Sequence, residues 1–305
     1  MAVIEIDTIE KLIAFGNGEY GRGGNWQYVD AVLTADLDFN DYDNTYYWPG
    51  CTGGWMVNFD GQGHTISNIQ YVGNNAWGFI GSSGYINVSN LNLKDINVVS
   101  LDNVGGIVCC NNQDSYVNIH NCHVSGHLES SATNKNVSGI AYIERNQCKV
   151  TYSSFSGVLK NVGGTLGSLY SILSTASDNP SEWAVYNCMG ICDMITTSGY
   201  VYGICGHPGT VVNCEYRGNL KVLSNETHIF PLIQTYGGSA SNCICVIEED
   251  SQGGIRTDTG AALSNIYIDS DKLTTAGITL PAMYTGATTA QLKNKAWLKS
   301  KGFAV

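Results

Sequence analysis

The chain has 305 residues, with 15 basic and 26 acidic side chains for a formal charge of −11, 13% charged residues and 36 glycines. This is about half the usual share of charge. The absence of a basic run interleaved with aromatics argues against nucleic-acid binding, and no apolar stretch reaches the length of a membrane span. Apolar residues make up 43% of the chain, which argues against disorder.

In chain order, Asp7 and Glu10 have the spacing of a capping box, with Ile9, Leu12 and Ile13 at helical spacing behind them. They predict a short amphipathic helix over about residues 8–15 that covers the open end of whatever follows. The residues before it show no basic leader, which predicts synthesis and folding in the cytoplasm, with the eleven cysteines mostly reduced. A glycine-rich loop over 16–24 precedes a strand over 28–39. From Phe59 onward apolar residues fall two apart between turns, the pattern of strands.

Eight segments look like copies of one another: 66–69, 88–91, 119–122, 150–153, 185–188, 211–214, 240–243 and 263–266. Their third positions are Asn68, Asn90, Asn121, Tyr152, Asn187, Asn213, Asn242 and Asn265. A repeat of this length cannot bury its own apolar face and must stack on its neighbours. Several copies also carry a Gly before an apolar residue, as at Gly78, Gly106, Gly139 and Gly203. The expected fold is all-β: a single-stranded right-handed parallel β-helix with short N- and C-terminal cap helices. The expected divisions are a cap helix and lead-in strand over 1–58, coils over 59–270, and a cap helix with an apolar tail over 271–305. The C-terminal helix is read from the capping pattern Thr288 to Gln291, with Leu292, Trp297 and Leu298 behind it and Gly302 to stop it. The lysines 293, 295, 299 and 301 read as its solvated face.

The run F-D-G-Q-G-H-T-I from Phe59 to Ile66 resembles the opening turn of GLUG-type repeat proteins, of the pectate-lyase-like right-handed β-helix class. The lead-in helix, the acidic strand Leu33 to Asp38 and the V-G-G-I-V coil from Val104 to Val108 match the same family. The similarity covers roughly residues 1–110 well and the rest as a drifting repeat. It implies the fold and is nearly silent on activity. Such domains occur in surface adhesins, carbohydrate-active proteins and phage virion proteins.

Stacking makes structural parts of residues that otherwise look reactive. Cys122, Cys188, Cys214 and Cys243 share one position of the repeat, so they form a line, whereas a metal needs ligands converging on a point. They are read as a buried column. The recurring asparagines are read as a ladder that sets register, because Asn tolerates left-handed backbone and can bond the next coil. Asp36, Asp38, Asn40, Asp41 and Asp43 form an acidic stretch without the turn glycine and distal glutamate of a calcium loop. No cofactor is expected.

Glycosidic cleavage needs two facing carboxylates. The outward positions read from the repeat are Gln70, Asn92, His123, Ser154, Met189, Glu215, Ile244 and Tyr267, and no two neighbours are acidic. Asp178 and Glu182 fall in an apparent loop around Pro180. Met189, Glu215, Ile244 and Tyr267 are therefore read as an interaction surface. The function expected is that of a non-enzymatic structural or binding protein of a bacteriophage virion: a capsid decoration or fibre, or a tail-associated spike. Its expected partners are other virion proteins, further copies of itself in a homo-oligomer such as a trimer, and bacterial surface polysaccharide. The alternative is a carbohydrate-active enzyme or a bacterial adhesin, with Glu215 the first place to look for catalysis.

Overall fold

A computed structural model describes residues 3–20, 28–42, 48, 51–52, 56–81, 84–110, 116–144, 147–164, 167–175, 183–206, 209–222, 228–230, 232–234, 238–247, 254–255, 262–275, 280 and 282–303. The chain winds as a right-handed parallel β-helix of about 6 turns. Every strand pairing in it is parallel and joins one coil to the next. For example, Val117–Ile119 lies between Ile86–Val88 and Cys148–Val150. Strand spacing therefore sets the rise at about 4.8 Å per coil. Three ladders result: a 20-stranded sheet, a 6-stranded one and a 7-stranded one.

The core is the inside of the coil. Alternation sends Phe59, Val88, Ile119, Val150, Val185 and Val211 inward as one column, all essentially inaccessible. At the opposite corner Ile107, Ile140, Ile172 and Ile204 stack, each amide donating to the carbonyl one coil on. Glycine precedes three of them and Ser171 the fourth; at Gly106 the space is tight, since a Cβ there would lie 2.1 Å from the carbonyl oxygen of Gly139.

The two ends are closed differently. At the start, α1 (Ile9–Gly16) turns Ile9, Leu12 and Phe15 onto the first coil. Its N-cap is Thr8, one residue later than the sequence pattern suggests, because Asp7 instead pairs with Lys11 at 2.7 Å. Stacking also begins well before residue 59. Ile4–Ile6 pairs with Ala31–Leu33, and Tyr28–Val32 with Met56–Asp60, so the lead-in segment is part of the solenoid. The chain bends out of the strand after Leu33, and Leu37–Asp38 then pairs with Ile66–Ser67.

At the far end, α2 (Ser270–Thr275) leaves the last long strand, followed by α3 (Thr289–Leu292) and α4 (Lys295–Ser300). The single terminal helix expected from the sequence is thus two. Asn294 breaks it by accepting a hydrogen bond from Trp297 N and capping α4. Thr288 and Gln291 form the expected capping box on α3. Leu292, Leu298 and Phe303 pack on Ile244, Val246 and Tyr267, forming a second apolar cluster outside the coil.

Candidate functional site

The asparagine turn organises the outer surface. Asn90, Asn121, Asn187, Asn213, Asn242 and Asn265 all sit at φ between 52° and 55°, with Tyr152 at 53°. Left-handed backbone is costly for most side chains and cheapest, after Gly, for Asn. Each turn swings the chain from one outer face to the next within the same sheet. The side-chain amides bond along the stack: Asn121 Nδ2 donates to Asn90 Oδ1 at 2.9 Å, Asn213 to Asn187 at 3.0 Å, Asn242 to Asn213 at 3.2 Å and Asn265 to Asn242 at 2.8 Å. Tyr152 interrupts the run.

Asn68 does not belong to this column. Ile66 and Ser67 pair with Leu93 and Lys94, so Asn68 falls beside Asp95, five residues further round the coil than Asn90, while Asp38 pairs with Ser67. Asn68 Nδ2 donates to Asp38 Oδ1 at 2.7 Å. The true partner of the Asn90 turn in the first coil is Asp60–His64, two residues longer, with Asn90 Nδ2 on Asp60 Oδ1 at 3.0 Å. A Cβ on Gly61 would lie 2.4 Å from Asn90 O, which is why that longer turn carries glycine. The similar four-letter strings had hidden this shift.

The residue after each turn points inward. Cys122, Cys188, Cys214 and Cys243 are all at most 2% exposed, in line with Leu91, Ser153 and Ile266. Each thiol donates to the carbonyl two residues back: Cys122 to His120, Cys188 to Tyr186, Cys214 to Val212 and Cys243 to Ser241, at 3.2–3.4 Å. Ser153 does the same to Thr151 at 2.9 Å. Burial pushes the Cys122 thiol up to about 12 and raises Cys214, while the Cys214 thiol and burial together raise Cys243. A thiol held protonated is neither nucleophile nor metal ligand. Among the described residues no group of three His, Cys, Asp or Glu could hold a metal.

Two residues past the turn lies an outward column. Register aligns Thr65, Asn92, His123, Ser154, Met189, Glu215, Ile244 and Tyr267. Thr65 takes the place that the repeat had assigned to Gln70, which pairs instead with Asn97. A second outward column, Lys94, Ser125, Ser156, Ile191 and Arg217, runs beside it. Between Thr65 and Ser156 the two columns frame a groove of about 360 Å³, lined by Thr65, Asn92, Lys94, His123, Ser125, Ser154 and Ser156, with Leu93 and Val124.

Its polar groups are partly used and partly free to act. Asn92 Nδ2 donates to Gly63 O at 2.8 Å. His123 Nδ1 and Ser154 Oγ are 2.8 Å apart. Desolvation lowers the His123 pKa below the ordinary imidazole value, which favours the neutral ring at pH 7. At the head of the groove Asp36 accepts from Thr65 N at 2.8 Å and contacts His64 Nδ1 at 3.0 Å. These bonds hold its carboxyl below the usual range. Asp38 is lowered likewise by Asn68 and by Asn40 N. The acidic stretch thus serves turns; Asp43 lies outside the described residues, as do Asp178 and Glu182.

Beyond Ser154 the column changes character. Met189 is 37% exposed, and Ile191 beside it is exposed too. Glu215 forms an ion pair with Arg217, whose Nη2 donates to Leu292 O of the terminal cap. Ile244 is only 1% exposed, and Tyr267 packs edge-on against Trp297 and Phe303. The interaction surface expected along Met189, Glu215, Ile244 and Tyr267 is therefore open only at its first member. The terminal helices fold back over the rest, which repeat position alone does not reveal.

Chemically, the groove offers hydroxyls, an amide, an imidazole and one ammonium, and no carboxylate among its lining residues. His123 and Ser154 have the separation of a base and a nucleophile. Among the described residues, however, no acid touches the ring to orient it.

No family model matches the chain, and no curated protein does. A solved structure of a candidate immunoglobulin A1 protease from Bacteroides ovatus is similar in fold, with a TM-score of 0.52 and 16% identity over 85% of this chain and 83% of that one. At that identity the likeness speaks for the β-helix alone.

Proposed function

We propose that the chain is a non-catalytic structural and binding protein of a bacteriophage virion, a capsid decoration, fibre or tail-associated spike. It recognises bacterial surface polysaccharide through the groove along Thr65, Asn92, His123 and Ser154. The observation that carries this reading is the groove itself: neutral donors and acceptors recur once per coil on an outward face, with no facing carboxylates. A polymer with its own repeat of hydroxyls can bond to successive coils, and the stack holds these groups in place before binding. The likeness of the amino-terminal third to domains found in virion proteins supports the setting, with a homo-oligomer such as a trimer as the working form.

Titration calorimetry against purified capsular and lipopolysaccharide glycans tests the site. Asn92→Ala with His123→Ala is expected to weaken binding at least about tenfold, and co-sedimentation with particles tests the setting. A monomer that binds no glycan and never sediments with virions would overturn the proposal.

A hydrolytic reading rests on one specific observation, the 2.8 Å approach of His123 to Ser154. In that case glycan or peptide cleavage would appear with the wild type and vanish in Ser154→Ala. The binding reading expects no cleavage in either.

A further inference from the structure

On the other side of the asparagine turn a different face looks outward, formed by the strands Tyr85–Ser89, Tyr116–His120, Gln147–Thr151 and Trp183–Tyr186. Alternation places Tyr85, Asn87 and Ser89 on it from the first, Tyr116, Asn118 and His120 from the second, Gln147, Lys149 and Thr151 from the third, and Ala184 and Tyr186 from the fourth. Not one of these eleven residues is acidic, although the chain carries 26 acidic side chains. Among the described residues the side-chain amides of Asn87 and Asn118 have no hydrogen-bond partner. One coil earlier, Asn58 is bonded to Asp30 at 2.9 Å.

The tyrosines stand beside these amides. Tyr85 is 55% exposed and Tyr116 39%. Their rings lie 5.6 Å apart and 36° from parallel, a tilted pair that remains partly open to solvent. The amides sit two residues further along the same strands, on the same side. An aromatic platform flanked by uncommitted amide donors and acceptors suits a ring that is apolar on one face and carries hydroxyls around its rim. A charged ligand would find only Lys149 on these strands and, at their edge beside Ser89, Asp60, whose carboxylate already accepts from Asn90 Nδ2 and Gln62 N; a purely apolar one would leave the amides unpaired.

We propose that this face is a second binding site, for a neutral oligosaccharide. Sugar rings stack on Tyr85 and Tyr116, and their hydroxyls hydrogen-bond to the amides of Asn87 and Asn118. The coil rise of about 4.8 Å lets consecutive rings of one glycan meet consecutive coils. The site is separate from the groove, being reached across the asparagine ladder, and it stands whether or not the groove binds a glycan.

The test is saturation-transfer NMR and titration with maltohexaose, cellohexaose and chitohexaose as probes. At least one is expected to bind the wild type, with its ring protons saturated. Tyr116→Ala should weaken that binding at least about tenfold, Tyr116→Phe should keep most of it, and Asn118→Ala should weaken it by an intermediate factor. Asn92→Ala with His123→Ala, in the groove, should leave it unchanged. Equal thermal melting of the variants would show that folding is intact. Failure of all three probes to bind would overturn the proposal, as would binding that survives Tyr85→Ala with Tyr116→Ala. Loss of binding only in the groove variant would assign the glycan to the groove. Capture of a protein partner in place of any sugar would also overturn it.

Discussion

Asn92 and Ile244 occupy the same position of the repeat, five coils apart in one outward column, and meet opposite fates. Around Asn92, His123 and Ser154 the column is an open polar groove. Around Ile244 and Tyr267 it is an apolar strip sealed under Leu292, Leu298 and Phe303. A solenoid position dictates only whether a side chain points in or out. Whether an outward position becomes surface depends on what the chain does after its last coil.

The most severe way to break this comparison is to remove residues 288–305. That uncovers Ile244, Val246 and Tyr267, frees Arg217 from Leu292 O and leaves Asn265 Nδ2 without its 3.0 Å bond to Lys301 O. Losing the burial of three large apolar side chains is expected to cost roughly 5 kcal/mol, measurable by denaturant unfolding, with aggregation of the open end. Leu298→Ala alone should cost about 3 kcal/mol.

Cutting one rung of the ladder should cost less. Asn213→Ala removes a donor to Asn187 and an acceptor for Asn242 and puts Ala at φ 55°. A loss of about 2 kcal/mol is expected, against nearly none for Asn118→Ala on the open face. The converse experiment is Tyr152→Asn. It replaces an exposed Tyr at φ 53° by the residue its neighbours carry, at the loss of the edge contact with His120. It should stabilise by about 0.5 kcal/mol, and an unchanged or lower melting temperature would argue that the ladder bonds contribute little.

The smallest effect distinguishes groove from strip by pH. His123 has a folded pKa below its unfolded value, so between the two values the unfolded chain binds more protons. Its contribution favours folding above the ordinary imidazole pKa and is lost as pH falls from there through the lowered value. NMR titration of the His123 ring should give a midpoint below 6.5, rising when Ser154→Ala opens the site to water.

The repeat was legible because stacking favours one kind of residue per position: Asn, with the single exception of Tyr152, where φ is positive, and a buried thiol, hydroxyl or aliphatic side chain next to it, with alternating apolar residues after that. The inward cysteines follow from that rule alone. Asn68 shows its limit. Ile66–Ile69 reads like Val88–Leu91, but pairing sets it against Leu93–Ile96, at a second bend where Asn68 and Asp95 also have positive φ. A string of letters does not carry its own register when two turns of the coil use the same kind of residue. The split terminal cap was half legible, since the capping box at Thr288 was visible and the second cap at Asn294 was not singled out. The groove was not legible as a groove. Its lining comes from four coils, and its members acquire meaning only when parallel pairing brings them within about 5 Å of one another.

By itself, then, the sequence determined the solenoid, its inward columns and its positive-φ turns, because these depend on local backbone cost and on period-two burial. Tertiary structure alone decided the register of the first coil, the closing of the column at Ile244 and Tyr267, and the juxtaposition of Asn92, His123 and Ser154. Those depend on contacts between residues some thirty or more positions apart, and local preference says nothing about which of them will meet.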